Sequence, residues 1–171
     1  NGTKGFGLTL KCRGPLRIVG FIDAAFGCHE DGKSHSGAII QLCGCCIMAI
    51  SRKQKIVSKS STEAEKIALS DLCSIVELCN EFVREQGCGD SEIPMIWQDN
   101  QSTISMVKNG GGTTRTKHLS VSQILVKERI ENGNVVVEFM PTLGMIADIL
   151  TKALQGALFR GLAVQVLGNQ I

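Results

Sequence analysis

The sequence predicts a single α/β domain built on a mixed five-stranded sheet with helices on its faces. Three β-rich runs follow one another closely, a long amphipathic helix comes next, and strands and helices alternate over the rest of the chain. The chain has 171 residues, of which 43% are hydrophobic and 20% charged. That is enough for one domain with a substantial core, and a second independent domain is not expected.

The first three strands are predicted from β-rich runs separated by glycine-containing and polar turns. They cover Arg17 to Phe26, Ser36 to Leu42 and Cys46 to Lys53. Links this short favour an antiparallel meander.

A long helix is predicted from about Thr62 to Gln86, where Gly87 stops it. Its apolar residues recur at intervals of three and four, at Ala68, Leu69, Leu72, Ile75, Val76, Cys79, Phe82 and Val83. Two capping boxes have suitable spacing, Ser60 with Glu63 and Thr62 with Glu65. The two alternatives place the start of the helix two residues apart.

A fourth strand is predicted at Met95 to Gln98, directly after the helix. A right-handed crossover then makes the first and fourth strands parallel neighbours. The carboxyl end of the fourth strand is expected beside the middle of the first.

The remaining elements are shorter. They are a helix at Ser102 to Lys108, a flexible connector at Gly110 to Gly112, a helix at Lys117 to Glu131, a strand at Val135 to Phe139, a helix at Met145 to Leu154 and a helical tail at Gln155 to Ile171.

Composition limits the classes of function. The net charge of +2 gives no strong attraction of the whole molecule to polyphosphates, so nucleic-acid binding would depend on local patches. No apolar run approaches the roughly 20 residues of a membrane span, and the chain does not begin with a signal-peptide pattern. We expect reduced cysteines and a cytoplasmic or nuclear protein that is neither secreted nor membrane-bound.

Four acidic residues occupy positions that normally hold apolar side chains. Asp23 interrupts an apolar strand, Glu65 lies on the core-facing stripe of the long helix, Asp99 ends the fourth strand, and Asp148 lies in a nearly apolar hexamer. Each one alone is more simply a hydrogen-bonded or turn residue. The four together favour a cation site, because clustered carboxylates repel one another unless a hard cation such as Mg²⁺ lies between them. Two such ions activate water in phosphodiester cleavage.

Seven motifs support a resemblance to a known family. They are Phe21-Ile22-Asp23-Ala24-Ala25-Phe26, Lys33-Ser34-His35-Ser36-Gly37, Lys53-Gln54-Lys55, Lys59-Ser60-Ser61-Thr62-Glu63-Ala64-Glu65, Gln98-Asp99-Asn100-Gln101-Ser102, Thr114-Arg115-Thr116-Lys117-His118 and Ala147-Asp148-Ile149-Leu150-Thr151-Lys152. In order and spacing, from about Gly2 to Arg160, they resemble the ribonuclease H domain of copia-type retrotransposon polyproteins.

The resemblance implies a ribonuclease H-like fold with strand order 3-2-1-4-5. It also implies cleavage of the RNA strand of RNA:DNA hybrids, with two Mg²⁺ ions, or Mn²⁺, held by Asp23, Glu65, Asp99 and Asp148. A reverse transcriptase would lie upstream in the same polyprotein, working in the cytoplasmic particle of the element. The predicted divisions are a link at 1–16, the ribonuclease H-like domain at 17–155 and a C-terminal tail at 156–171.

Candidate nucleic-acid ligands surround the four acids in the sequence. Asn100, Gln101 and Ser102 follow Asp99, and the basic or imidazole candidates are Lys53, Lys59, Arg115, Lys117 and His118. The competing interpretations are a helix cap for the first three, a structural histidine for His118 and a solvated face for the lysines.

Three alternatives remain. Cys28, His29, Cys43, Cys45 and Cys46 carry zinc-type ligands, but their spacing does not form a paired knuckle, which favours ordinary thiols. The first functional rival is a binding or tethering module of the same fold that no longer cleaves. The second is a DNA-cutting integrase or transposase relative.

Overall fold

The computed structural model describes residues 6–12, 14–87, 91–109 and 121–168. Five strands form one sheet in the order β3-β2-β1-β4-β5. Their bounds are Arg17–Ala25 for β1, His35–Leu42 for β2, Cys45–Lys53 for β3, Glu92–Gln98 for β4 and Val136–Phe139 for β5. The predicted mixed sheet and its strand order are confirmed.

The register of the sheet positions the site. Strands β1, β2 and β3 form the antiparallel meander, and β4 runs parallel to both β1 and β5. Ile22 of β1 pairs with Gln98 of β4, so the residues that follow, Asp23 and Asp99, lie side by side. This is the juxtaposition expected from the crossover.

Helix α1 covers Ser61–Glu85, and its cap resolves the choice between two boxes. The Ser60 hydroxyl accepts a hydrogen bond from the backbone N–H of Glu63, and the Glu63 carboxylate accepts one from the N–H of Lys59. Glu65 takes no part in this cap and is buried on the inner face of the helix.

Both faces of the sheet are covered. On one face Ile18, Ile22 and Ile40 pack against α1. On the other, Phe21 and Ile39 pack against the segment around Met145 to Ala147. Residues that alternate along β1 therefore face opposite cores, as the two-residue period of a strand requires.

The predicted α-helix from Met145 to Leu154 is wrong. The chain instead forms two 3₁₀ turns, at Thr142–Gly144 and Ile146–Leu150, and we call the second the 3₁₀ segment. Four consecutive residues, 145 to 148, are buried. A surface α-helix would bury only one side of such a run, whereas a tight turn seated on the sheet buries all four.

The other helices are α2 at Gln101–Asn109, α3 at Val121–Glu131 and α4 at Gly156–Leu167. Leu162 and Ala163 of α4 are buried, so the helix in the predicted tail packs on the body of the protein. The predicted connector at 110–112 and the start of the predicted helix at 117–120 lie outside the described residues. The division into 1–16, 17–155 and 156–171 stays a prediction.

Candidate metal centre

Three acidic side chains converge at the carboxyl ends of β1 and β4. Asp23 belongs to β1, Asp99 directly follows β4, and Glu65 reaches them from the second turn of α1. Each offers a carboxylate oxygen, and these three oxygens lie within 4.8 Å of one another. Among the residues that the structure describes, this is the one group of three or more acidic, histidine or cysteine side chains close enough to share a metal ion.

Glu65 is buried and held by two hydrogen bonds. Its side chain leaves the residue 5% exposed, with Oε1 accepting from the backbone N–H of Ala24 at 3.2 Å and Oε2 accepting from the Gln98 amide at 3.2 Å. Burial, followed by the charges of Asp23 and Asp99, raises the pKa of Glu65 to about 8 despite these hydrogen bonds. The cluster therefore disfavours its own full ionisation.

A lysine connects Asp148 to this cluster. Lys152 Nζ is 2.8 Å from Asp148 Oδ1 and 3.7 Å from Asp23 Oδ1. Burial raises the pKa of Asp148, and the charges of Asp23 and Asp99 add to that effect while Lys152 opposes it. Burial would lower the pKa of the Lys152 ammonium, but the contact with Asp148 and the charges of the nearby carboxylates raise it overall.

Two polar neighbours orient the aspartates. The Thr151 hydroxyl donates to Asp23 Oδ2, and the Thr142 hydroxyl donates to Asp99 Oδ2 at 3.0 Å. Thr142 begins the first 3₁₀ turn, and Thr151 directly follows the second. The two 3₁₀ turns thus bring both Asp148 and two hydroxyl groups close to Asp23 and Asp99.

The donor set fits a hard divalent cation. Every candidate ligand is a carboxylate oxygen, which is the ligand class that Mg²⁺ and Mn²⁺ prefer. Asp148 Oδ1 is buried and, in the described part of the chain, no donor is aligned for a hydrogen bond to it, so its contact with Lys152 is one of charge alone. A buried carboxylate oxygen in that condition suits a metal ligand, and the raised pKa of Glu65 points to the same unmet need for positive charge.

The candidate nucleic-acid residues have divergent surroundings. Asn100 caps α2, since its side-chain oxygen accepts a hydrogen bond from the N–H of Thr103 at 3.0 Å. This is the helix-cap role that the sequence offered as the alternative to nucleic-acid contact. Gln101 and Ser102 are exposed at the start of that helix. Lys53 pairs with Asp31 at 2.8 Å, and Lys59 is exposed beside the cap of α1. Arg115, Lys117 and His118 lie outside the described residues.

Sequence reasoning assigned no role to three residues of the site. Gln98 is fully buried and connects Glu65 to the backbone N–H of Asn100. Thr151 and Lys152 contact Asp23. A buried amide at the end of an apolar strand was a visible signal for Gln98. The two others follow Asp148 by three and four residues, a spacing that suggests contact only once the local turn is known.

The cysteine segment makes packing contacts. Cys45 and Cys46 are buried, and the Cys45 thiol donates to the backbone oxygen of Lys11 at 2.9 Å. Burial raises the pKa of the Cys46 thiol, which favours the neutral form.

The pKa of Glu65 predicts how stability depends on pH in the absence of divalent cations. The folded pKa, about 8, lies above the ordinary value of 4.5, so the folded state holds the proton more tightly than the unfolded chain. The free energy of unfolding should fall by about 2–4 kcal/mol as pH rises from about 4.5 to about 8, and level off above. Asp148 contributes in the same direction.

Urea unfolding at several pH values in EDTA measures this effect. Glu65→Gln should flatten most of the slope, because the amide has no proton to lose. An unchanged slope in that variant would show that other groups cause the pH dependence.

The sequence comparison identifies the relatives. The Pol polyprotein of transposon RE1 from Arabidopsis thaliana is 29% identical over 96% of this chain, and that of transposon TNT 1-94 from Nicotiana tabacum is 32% identical over 88% of it. The chain is a homologue of retrotransposon Pol polyproteins. It spans 11% of the length of each of these relatives. No family model matches the sequence.

Solved structures show the fold of this chain. LC11-RNase H1, isolated from compost, superposes with a TM-score of 0.59 at 16% identity, covering 79% of this chain and 92% of that one. The same protein in complex with an RNA/DNA hybrid gives 0.51 at 15% identity, over 78% and 92%. The foamy viral protease-reverse transcriptase in complex with dsDNA gives 0.55 at 15% identity, over 93% and 98%. The chain therefore has the ribonuclease H fold, as the motifs indicated.

No helix within residues 6–12, 14–87, 91–109 and 121–168 combines the length and the hydropathy that crossing a bilayer requires.

Proposed function

We propose that this Pol segment is a ribonuclease H that hydrolyses the RNA strand of RNA:DNA hybrids during reverse transcription of a retrotransposon. The observation that carries the proposal is the convergence of Asp23, Glu65 and Asp99 at one end of a ribonuclease H fold. A protein of that fold forms a complex with an RNA/DNA hybrid, which supports the same substrate class here. The reverse transcriptase of the same polyprotein would be the working partner, in a cytoplasmic particle or the nucleus.

Asp23, Glu65, Asp99 and Asp148 would hold the divalent cations. Two Mg²⁺ or Mn²⁺ ions bound there would activate a water molecule and stabilise charge on the leaving oxygen of the phosphodiester. The chain itself brings Asp23, Glu65 and Asp99 close together, and of the four acids only Asp99 is partly exposed. The burial of the others strengthens their electrostatic effect on a bound cation.

The neighbouring residues act on the positions of these carboxylates. Gln98 holds one oxygen of Glu65, and the Ala24 backbone holds the other. Thr151 holds Oδ2 of Asp23, and Oδ1 lies 3.7 Å from Lys152 Nζ. Eight residues are proposed to contact sugar or phosphate groups of the substrate. Those that the structure describes are Asn100, Gln101, Ser102, Lys53 and Lys59, and the others are Arg115, Lys117 and His118.

Cleavage of a labelled RNA:DNA hybrid by the purified chain tests the proposal. We expect cleavage that requires Mg²⁺ or Mn²⁺, stops with EDTA, and leaves 3′-hydroxyl and 5′-phosphate ends. Asp99→Asn should remove it, because the amide carries no charge for a cation at a position that otherwise keeps its shape.

Double-stranded DNA, double-stranded RNA and single-stranded RNA are the comparison substrates. Cleavage of DNA in preference to the hybrid would support the integrase or transposase alternative. Hybrid binding by a folded protein that cleaves none of the substrates would support the binding or tethering module. Either result would overturn the proposal.

A further inference from the structure

Lys152 carries its ammonium group to the point where two buried carboxylates face each other. Nζ lies 2.8 Å from Asp148 Oδ1 and 3.7 Å from Asp23 Oδ1. The side chains of the two aspartates are 10% and 4% exposed, whereas that of Lys152 is 40% exposed. The lysine can therefore withdraw into solvent without unpacking the core, while the carboxylates cannot.

The local backbone keeps the lysine within reach. Lys152 N donates to the Asp148 carbonyl oxygen at 2.9 Å, and Thr151 N donates to the same oxygen at 3.2 Å. The turn that buries Asp148 thus directs the residue four positions later back over it. Thr151 at the same time holds Asp23 Oδ2, which leaves Asp23 Oδ1 facing the ammonium.

We propose that Lys152 is an internal counter-cation of the site, a positioning residue that neutralises Asp148 and Asp23 and must be displaced when a divalent cation binds between them. The inference rests on the proposed function, since it takes these aspartates as metal ligands. It adds a regulatory property: Lys152 weakens the binding of the cation that Asp148 shares with Asp23.

Competition for the same oxygens gives the direction of the effect. Two desolvated carboxylates without positive charge are costly, so the ammonium stabilises the protein before a metal binds. A divalent cation carries more charge and replaces it, but the free energy of the lost ion pair is subtracted from the binding energy. The cation held through Asp148 should therefore bind more weakly than one held by Asp23, Glu65 and Asp99 alone.

Mg²⁺ and Mn²⁺ titrations of the purified chain test the proposal, by calorimetry and by the cation dependence of the melting temperature. Lys152→Gln should bind the weaker ion about five- to tenfold more tightly, because the neutral amide does not compete. It should also melt at a lower temperature than the parent in EDTA. Lys152→Arg keeps the charge and should retain the weak binding of the parent.

Lys127→Gln is the matched control. Lys127 forms a comparable ion pair with Glu131, four residues away, at 3.4 Å, and its side chain is 35% exposed. It lies on α3, outside the acidic cluster, so its loss should leave cation affinity unchanged. Equal shifts in the two glutamine variants would show only a general effect of net charge and would overturn the proposal.

Failure of this inference is distinguishable from failure of the proposed function. Hybrid cleavage by the parent together with unchanged cation affinity in Lys152→Gln would overturn the role of Lys152 and leave the nuclease intact. Tighter cation binding in that variant without cleavage by either protein would support the proposed role of Lys152 and contradict the proposed nuclease activity. Absence of Mg²⁺ and Mn²⁺ binding in both proteins would overturn both.

Discussion

Asp23→Asn is expected to reduce metal-dependent cleavage of an RNA:DNA hybrid by about 10³-fold or more. Asp23 is 3% exposed. Its carboxylate is within reach of Glu65 and Asp99, accepts a hydrogen bond from Thr151 and faces Lys152. Asparagine keeps this shape and removes the charge that a cation requires.

The same substitution should not reduce stability in EDTA at pH 8. Removing one negative charge relieves repulsion in the cluster and moves the pKa of Glu65 back toward its ordinary value, which offsets the lost pairing with Lys152. A loss of activity without a loss of stability is typical of residues retained for function. Urea unfolding measures the stability.

Asp71→Asn provides the matched control for this prediction. Asp71 is an exposed aspartate of α1 that pairs with Arg52, outside the three-acid cluster. Its loss should leave cleavage within a few-fold of the parent. If Asp23→Asn cleaves as well as Asp71→Asn does, the acidic cluster is not the catalytic centre.

Gly37→Ala is expected to lower the free energy of unfolding by about 1–3 kcal/mol and to reduce cleavage at least tenfold. Gly37 of β2 pairs with Asp23, and the 3₁₀ segment lies directly on it. A Cβ atom at this position would lie 2.6 Å from Thr151 Cγ2, 2.9 Å from Leu150 Cβ and 3.2 Å from the Ala147 carbonyl oxygen. Two of these atoms are anchored in or next to the backbone, so the whole segment must move.

Such a movement would reach the site directly. Thr151 would leave Asp23, and Asp148 and Lys152 would shift with the same turn. We therefore expect Gly37→Ala to weaken Mg²⁺ binding as well as stability, measured by thermal melting with and without the cation.

Gly20→Ala is the comparison that separates crowding from displacement of the site. Gly20 lies in β1 under α1, where a Cβ would meet the ends of movable side chains, Leu72 Cδ2 at 3.0 Å and Val76 Cγ2 at 3.2 Å. It should cost less stability and leave Mg²⁺ affinity unchanged. Equal loss of Mg²⁺ binding in both variants would contradict a specific role for the contact between Gly37 and the 3₁₀ segment.

Local periodicity carried the predictions that were confirmed. The alternation of β1 and the three-and-four spacing of α1 are properties of single elements, and the burial that they imply holds for Ile22 and Leu69. The inward position of Glu65 followed from the same stripe. The parallel crossover then brought Asp23 and Asp99 together, which needed only strand order and the handedness of the connection.

By itself, then, the sequence determined the kind of element in most of the chain, the order of the sheet and the inward positions of Asp23 and Glu65. Only the tertiary structure decided the conformation around Asp148, because a run of four buried residues depends on what lies beneath it. That surface includes Gly37, about a hundred residues earlier in the chain, whose missing side chain admits the 3₁₀ segment. The contact of Lys152 with two carboxylates has the same origin, since it exists only where that turn is pressed against β1 and β2.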